Sequence, residues 1–283
     1  ERLTRVYQEA PGTEEASFAA AAIVNSYQNE GDLLSMKTWT IRFCALAETG
    51  EVPMEEEKRQ EFCGNVTNID FVICLNHIEA KDRKAAAQCF DEYLVNYPDQ
   101  SDENYCLAVY NAANSYALIG RSDDAIGRFE RYVDDCRDAE NVDGILVRIA
   151  QNYEAKLELD KAITYWRKLL DRDRQRQGEY ANAAQYNVAF LEVGRGNHRA
   201  AAKGFEEYYV HFPEADDAEA TYFKAGAEWE KVSSTEAMRF FRRYLSEFGD
   251  QNPDHVMEAK YRIAKLYEKQ GKTTAARRQM DEV

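Results

Sequence analysis

Between Ala108 and Val133 the stretch "AVYNAANSYALIGRSDDAIGRFERYV" spaces its apolar residues three and four apart, breaks at a glycine, and resumes. That period puts apolar side chains on one face of a helix. The stretch therefore predicts two short amphipathic helices around a turn at Gly120. Its markers are Tyr116, Gly120, Ala125 and Phe129. The same spacing returns as Tyr153, Leu157, Ala162 and Trp166, with Leu in place of Gly. It returns as Gly196, Ala201 and Phe205, with Glu192 in the first aromatic's place, and as Tyr267, Gly271, Ala276 and Met280. Trp229, Ser233, Ala237 and Phe241 keep it with one residue deleted. Upstream, His77, Lys81, Ala86 and Phe90 hold the spacing, and Tyr27 and Gly31 begin a more divergent copy.

The alanine anchors at 86, 125, 162, 201, 237 and 276 lie 36 to 39 residues apart. A small residue there lets the second helix approach the first, and the aromatic one turn later fills the space beside it. Glycine at the turn takes a positive φ, and Pro98 and Pro213, each twelve residues after an anchor, stop the second helix. One such hairpin cannot bury its apolar face alone; stacking buries it against the next. The pattern predicts hairpins at about 14–48, 54–97, 102–136, 142–174, 178–212, 216–249 and 254–283. Gly64 sits inside the long first helix of the second hairpin as a candidate kink. Residues 1–10, followed by Pro11, read as the end of a helix from an earlier unit, so the chain is expected to begin within a repeat.

This spacing closely resembles the tetratricopeptide repeat family, from about residue 14 to 283. The resemblance is specific at 102–136, 178–212 and 254–283, and weaker before residue 80. It implies an all-α, right-handed α-solenoid of about seven hairpins: divergent, acidic repeats over 1–97 and a regular array over 98–283. It also implies that first helices line a concave face gripping a peptide or partner helix. Ten residues before the turn stand Phe71, Tyr110, Val147, Tyr186, Phe223 and Tyr261; six before it stand Asn25, Leu75, Asn114, Gln151, Phe190, Ala227 and Lys265. The partner-binding set carried over from these rows is Phe71, Tyr110, Asn114, Gln151, Tyr186, Phe190, Phe223, Tyr261 and Lys265. Aromatic rings offer large contact area, and amides satisfy an extended backbone. The competing reading is that the tyrosines fill the packing between repeats. The paired lysines and asparagines of a chaperone-tail clamp are not assembled.

Charge narrows the partners. The chain's 283 residues carry a net −15, so nucleic acid and anionic membranes are disfavoured. Residues 1–140 hold 13 basic and 27 acidic residues, a net of −14; residues 141–283 hold 23 and 24, a net of −1. The acidic half reads as a solvated surface or as a docking region for a basic partner. No apolar run is long enough to insert in a membrane.

Cys44, Cys63, Cys74, Cys89, Cys106 and Cys136 all lie in that half. Residues facing each other across an antiparallel hairpin are equidistant from its turn. By that measure Cys74 with Cys89 and Cys106 with Cys136 stand at matching heights, and Cys44 and Cys63 flank the loop around Gly50–Pro53. Three disulfides, which imply an oxidising compartment, stand beside six buried thiols; a metal site is a third reading without a CxxC to support it.

No P-loop, GxGxxG, GxSxG or HExxH is present. His77 occupies an aromatic core position, and the acceptor triplet at Asn65 is a short match. The expectation is a non-enzymatic protein with no cofactor and no metal. The phrases "FDEYLVNYPD" and "FEEYYVHFPEADDAEATYFKAGAEWE" resemble a bacterial-envelope subgroup that includes outer-membrane assembly lipoproteins. That resemblance implies an interaction scaffold of a periplasmic or outer-membrane-associated complex for assembly, secretion or motility. The alternatives are a cytoplasmic adaptor and the regulatory or substrate-binding arm of a larger enzyme.

Overall fold

The alternation of apolar stripes and turns resolves into helices joined by short loops. The computed structural model of the chain describes residues 2–281, which form fifteen α-helices with no strand among the described residues. A lone helix, α1 (Arg2–Glu9), precedes seven hairpins. These are α2 (Glu14–Glu30) with α3 (Leu33–Glu48), α4 (Glu56–Glu79) with α5 (Arg83–Asn96), and α6 (Tyr105–Leu118) with α7 (Ser122–Asp135). Then come α8 (Val142–Ala155) with α9 (Leu159–Arg172) and α10 (Ala181–Gly194) with α11 (His198–His211). The last are α12 (Ala218–Val232) with α13 (Ser234–Phe248) and α14 (Pro253–Lys269) with α15 (Thr273–Met280). The all-α hairpin array read from the spacing is thus present. The helix α4 runs unbroken through Gly64.

The chain divides into two units, Glu1–Ala139 and Glu140–Val283. In the first, α1 lays Tyr7 edge-on against Phe43, 5.2 Å between centroids, and Trp39 stacks on the same Phe43. In the second, Phe205, Tyr222, Trp229, Phe240, Phe241, Tyr244 and Phe248 join one core with the anchors Ala201 and Ala237. Gly226 belongs to that close approach: a Cβ there would lie 2.5 Å from the Phe241 ring, so only glycine lets α12 and α13 meet.

Turn geometry explains why the spacing tolerates substitutions. Gly31, Gly120, Gly196 and Gly271 take φ between 72° and 77°. Lys81 and Leu157 adopt the same left-handed state, at φ 60° and 59°. An L-residue pays about 1–2 kcal/mol there, which the surrounding hairpin packing overcomes. In two hairpins the following residue caps the next helix: Asp32 accepts from the Ser35 N–H and Asp82 from the Ala85 N–H, both at 3.0 Å.

All six cysteines pair. Cys44–Cys63 joins α3 to α4, Cys74–Cys89 ties α4 to α5, and Cys106–Cys136 ties α6 to the end of α7, with Cα separations of 5.7, 5.4 and 5.8 Å. These separations are ordinary for disulfides. Of the readings that the sequence leaves open, the structure takes the three nearest-neighbour bridges, all in the first unit.

Candidate partner-binding faces

Each hairpin spends part of its first helix on its own second helix. In four hairpins an aromatic residue ten before the turn meets the anchor aromatic and the tyrosine one turn beyond it. Phe71 lies 5.7 Å from both Phe90 and Tyr93. Tyr110 lies 6.5 and 5.6 Å from Phe129 and Tyr132. Tyr186 lies 6.0 and 6.1 Å from Phe205 and Tyr208, and Phe223 lies 6.1 and 4.9 Å from Phe241 and Tyr244. Each ring pair adds about 0.5–1.5 kcal/mol beyond area burial. Phe71 is buried; Tyr110, Val147, Tyr186 and Phe223 are half-buried, and Tyr261 is exposed.

A second contact runs between successive hairpins, five residues past one anchor to the turn aromatic of the next unit. Asp91 accepts from the Tyr116 hydroxyl at 2.7 Å, and Arg128 grips the same carboxylate while lying 4.3 Å from the Tyr116 ring centroid. Glu206 accepts from Trp229 Nε1 at 2.5 Å. Arg242 donates to the Tyr267 hydroxyl. Where Glu192 replaces the aromatic, Arg167 stands in place of the acid and donates to it at 2.7 Å. These side chains are architecture.

What remains outside this packing is a partly open face on the first helices. In the second unit Phe190 is 56% exposed and stacks parallel to Tyr186, 6.1 Å away and 11° off parallel. Lys224 lies 4.7 Å from the Tyr186 centroid and donates to its hydroxyl at 3.0 Å. On the next helix, Lys265 lies 5.6 Å from the Tyr261 centroid and pairs with Glu268 at 2.9 Å. The Glu268 hydrogen bond raises the Lys265 pKa. Gln151 is exposed on α8, and Ala227 half-buried on α12. Phe223 is further covered by His255, stacked 4.2 Å away. His255 in turn contacts Glu219 at 2.8 Å. Burial raises the Glu219 pKa, but hydrogen bonds from Tyr244, His255 and Asn252 outweigh it and hold the carboxyl below its ordinary value.

In the first unit Asn25 is exposed beside Phe18, Ala21, Ala22, Ser26, Asn29 and Glu30, which line an open groove of about 510 Å³ along α2. Leu75 and Asn114 are half-buried on α4 and α6. Phe18, Val72 and Leu107, outside the two registers ten and six before the turn, are exposed apolar side chains on these same helices. Their signal is an apolar residue nine or thirteen positions before the turn. Among the described residues no group of three His, Cys, Asp or Glu side chains is placed to hold a metal ion, and no helix is long and apolar enough to cross a membrane.

The hairpin geometry coincides with a family pattern: residues 258–283, which take in most of α14 and all of α15, match the sequence model of the tetratricopeptide repeat. Over that segment the chain matches the tetratricopeptide repeat. Repeats of this kind are protein-interaction modules. No curated protein matches the chain. Among solved structures it is similar to a tetratricopeptide repeat protein from Parabacteroides merdae ATCC 43184, at 16% identity over 77% of this chain and 78% of that one, with a TM-score of 0.42. It is similar to MamA at 17% identity, over 66% of this chain and 94% of that one, TM-score 0.41. It is also similar to PilW, a widely conserved type IV pilus biogenesis factor, at 16% identity over 76% and 90%, TM-score 0.34.

Proposed function

We propose that this chain is a tetratricopeptide-repeat protein acting as a non-enzymatic scaffold that holds partner proteins in a multiprotein complex of a bacterial cell envelope. The observation that carries the reading is the set of first-helix side chains left over from hairpin packing, with Phe190, more than half exposed on a rigid stack, at its centre. Exposed rings on pre-ordered helices supply contact area at little entropic cost. The partner is held as a peptide or helix on the first-helix faces, with the partner-binding set extended to Phe18, Val72 and Leu107. Three disulfides support an oxidising, extracytoplasmic location, in keeping with the resemblance of the proline-ended second helices to envelope proteins.

The test combines location and binding in the native cell. Alkylation of unreduced cells is expected to leave all six cysteines unlabelled, and the protein is expected in the periplasmic or outer-membrane fraction. Phe190→Ala with Tyr261→Ala is expected to release the co-purifying partner at an unchanged melting temperature. Six alkylated thiols would refute the envelope location, and an unchanged partner yield from the variant would refute the face.

A further inference from the structure

Twelve positions on the first unit's first helices share four registers, thirteen, ten, nine and six residues ahead of the turn. They are Phe18, Ala21, Ala22 and Asn25 on α2; Asn68, Phe71, Val72 and Leu75 on α4; Leu107, Tyr110, Asn111 and Asn114 on α6. None carries a charge, although the surrounding 140 residues sum to −14. The fold does not impose this. The same registers of the second unit hold Arg148, Lys224, Glu258, Arg262 and Lys265. A charged side chain is therefore compatible with these sites, and its absence over three successive hairpins is a property of the first unit's surface.

The face is both apolar and hydrogen-bonding. Phe18 is 73% and Leu107 52% exposed, and Val72 is exposed between them in chain order. Amides recur beside them: Asn25 and Asn68 are exposed and Asn111 is half-buried. Asn68 accepts from the Asn104 amide at 2.8 Å, which joins α4 to the start of α6. The groove along α2 is floored by Ala21 and Ala22, small enough for a backbone to approach. Glu30, the last residue of α2, is the one charged side chain lining that groove; elsewhere on these registers a buried ionised side chain would find no counter-charge and would bind poorly. An uncharged segment would find apolar contacts for its side chains and amides for its peptide groups.

The acid around the face selects the rest of the partner. A net of −14 attracts a positively charged protein at long range and repels an acidic one. We propose that the first-helix face of the first unit docks an uncharged, apolar-and-amide segment carried by a basic partner protein. This deepens the scaffold reading and rests on it.

The probe is a synthetic peptide of leucine, valine and asparagine with lysines at both ends. Its comparators carry glutamates at both ends, or one lysine or glutamate in the centre. Binding to the whole chain is followed by fluorescence anisotropy. The lysine-ended, neutral-centred peptide is expected to bind at least roughly tenfold more tightly than either comparator at low salt, with the advantage of the lysine ends shrinking as salt screens it. Val72→Glu with Leu107→Glu, both at exposed positions, is expected to weaken that peptide by roughly tenfold or more at an unchanged melting temperature. Equal binding of glutamate-ended and lysine-ended peptides overturns the proposal. So does preference for a charged centre, wild-type binding by the Glu variant, or binding by none of the peptides. If the native partner still depends on Phe190 and Tyr261 in any of these cases, the scaffold reading stands and this one alone has failed.

Discussion

Arg167 Nη2 lies 2.7 Å from Glu192 Oε1, and the pair sits where two other pairs of successive hairpins bring an acid to a tyrosine or tryptophan donor. Glu192 is 1% exposed and also meets Arg195 at 3.2 Å. The departure from the repeat pattern is thus a charge exchange that preserves the contact. Arg167→Glu is expected to destabilise the chain by about 1–3 kcal/mol, because it sets a second carboxylate against a buried one. Adding Glu192→Tyr to Arg167→Glu rebuilds the acid–aromatic contact of Asp91 and Tyr116, and is expected to recover at least half of that loss. A double-mutant cycle in urea reads both.

Leu157 occupies a left-handed turn position while 80% exposed, so it holds a strained backbone without burying its side chain in return. Leu157→Gly is expected to stabilise the second unit by about 1 kcal/mol, seen as a raised melting temperature. Unchanged or lowered stability would show that the leucine's own contacts outweigh its backbone strain.

The disulfides span 19, 15 and 30 residues, all within the first unit. Chain-entropy arithmetic assigns each roughly 3–4 kcal/mol. Reduction is therefore expected to expose the first unit to proteolysis while a fragment beginning near residue 140 survives. Mass spectrometry of a timed digest, with and without reductant, checks this.

Buried and half-buried tyrosines set the alkaline limit. Burial, and then hydrogen bonds to Glu219, Asp217 and Asp70, hold the hydroxyls of Tyr244, Tyr208 and Tyr97 far above their ordinary value. Burial and the nearby Asp102 charge do the same for Tyr93. A raised folded-state pKa contributes stability that is fully present below the unfolded value, about 10, and is lost as pH rises beyond it. Unfolding is thus expected to begin above about pH 10. Absorbance at the tyrosinate band should rise together with the loss of helical signal; ionisation of all tyrosines in a folded chain would contradict the assignment.

Much of this is written in local spacing. The anchors Ala86 to Ala276, the turn residues and the prolines place all seven hairpins, because each marker acts on its own hairpin. Lys81 and Leu157 follow the spacing without the residue type, since packing overrides a local preference. The cysteine heights are legible, but side-chain direction is not, so pairing is decided only by the folded seam. The register of Tyr110 is plain in the sequence. The turn of its ring toward Phe129 and Tyr132 depends on the second helix and is not. Arg167 and Glu192 stand 25 residues apart, and only stacking makes them neighbours. The run of twelve uncharged positions appears once four registers are read together and compared between units.

The central claim is that partners are held on first-helix faces. Photo-cross-linking residues placed one at a time at Phe190, at Leu107 and at Val210 in the native cell test it most directly. Val210 is 70% exposed on the second helix α11 and serves as the control. Discrete protein cross-links from positions 190 and 107, with none from 210, are the predicted result. Cross-links from 210 alone, or equally from all three, would contradict it.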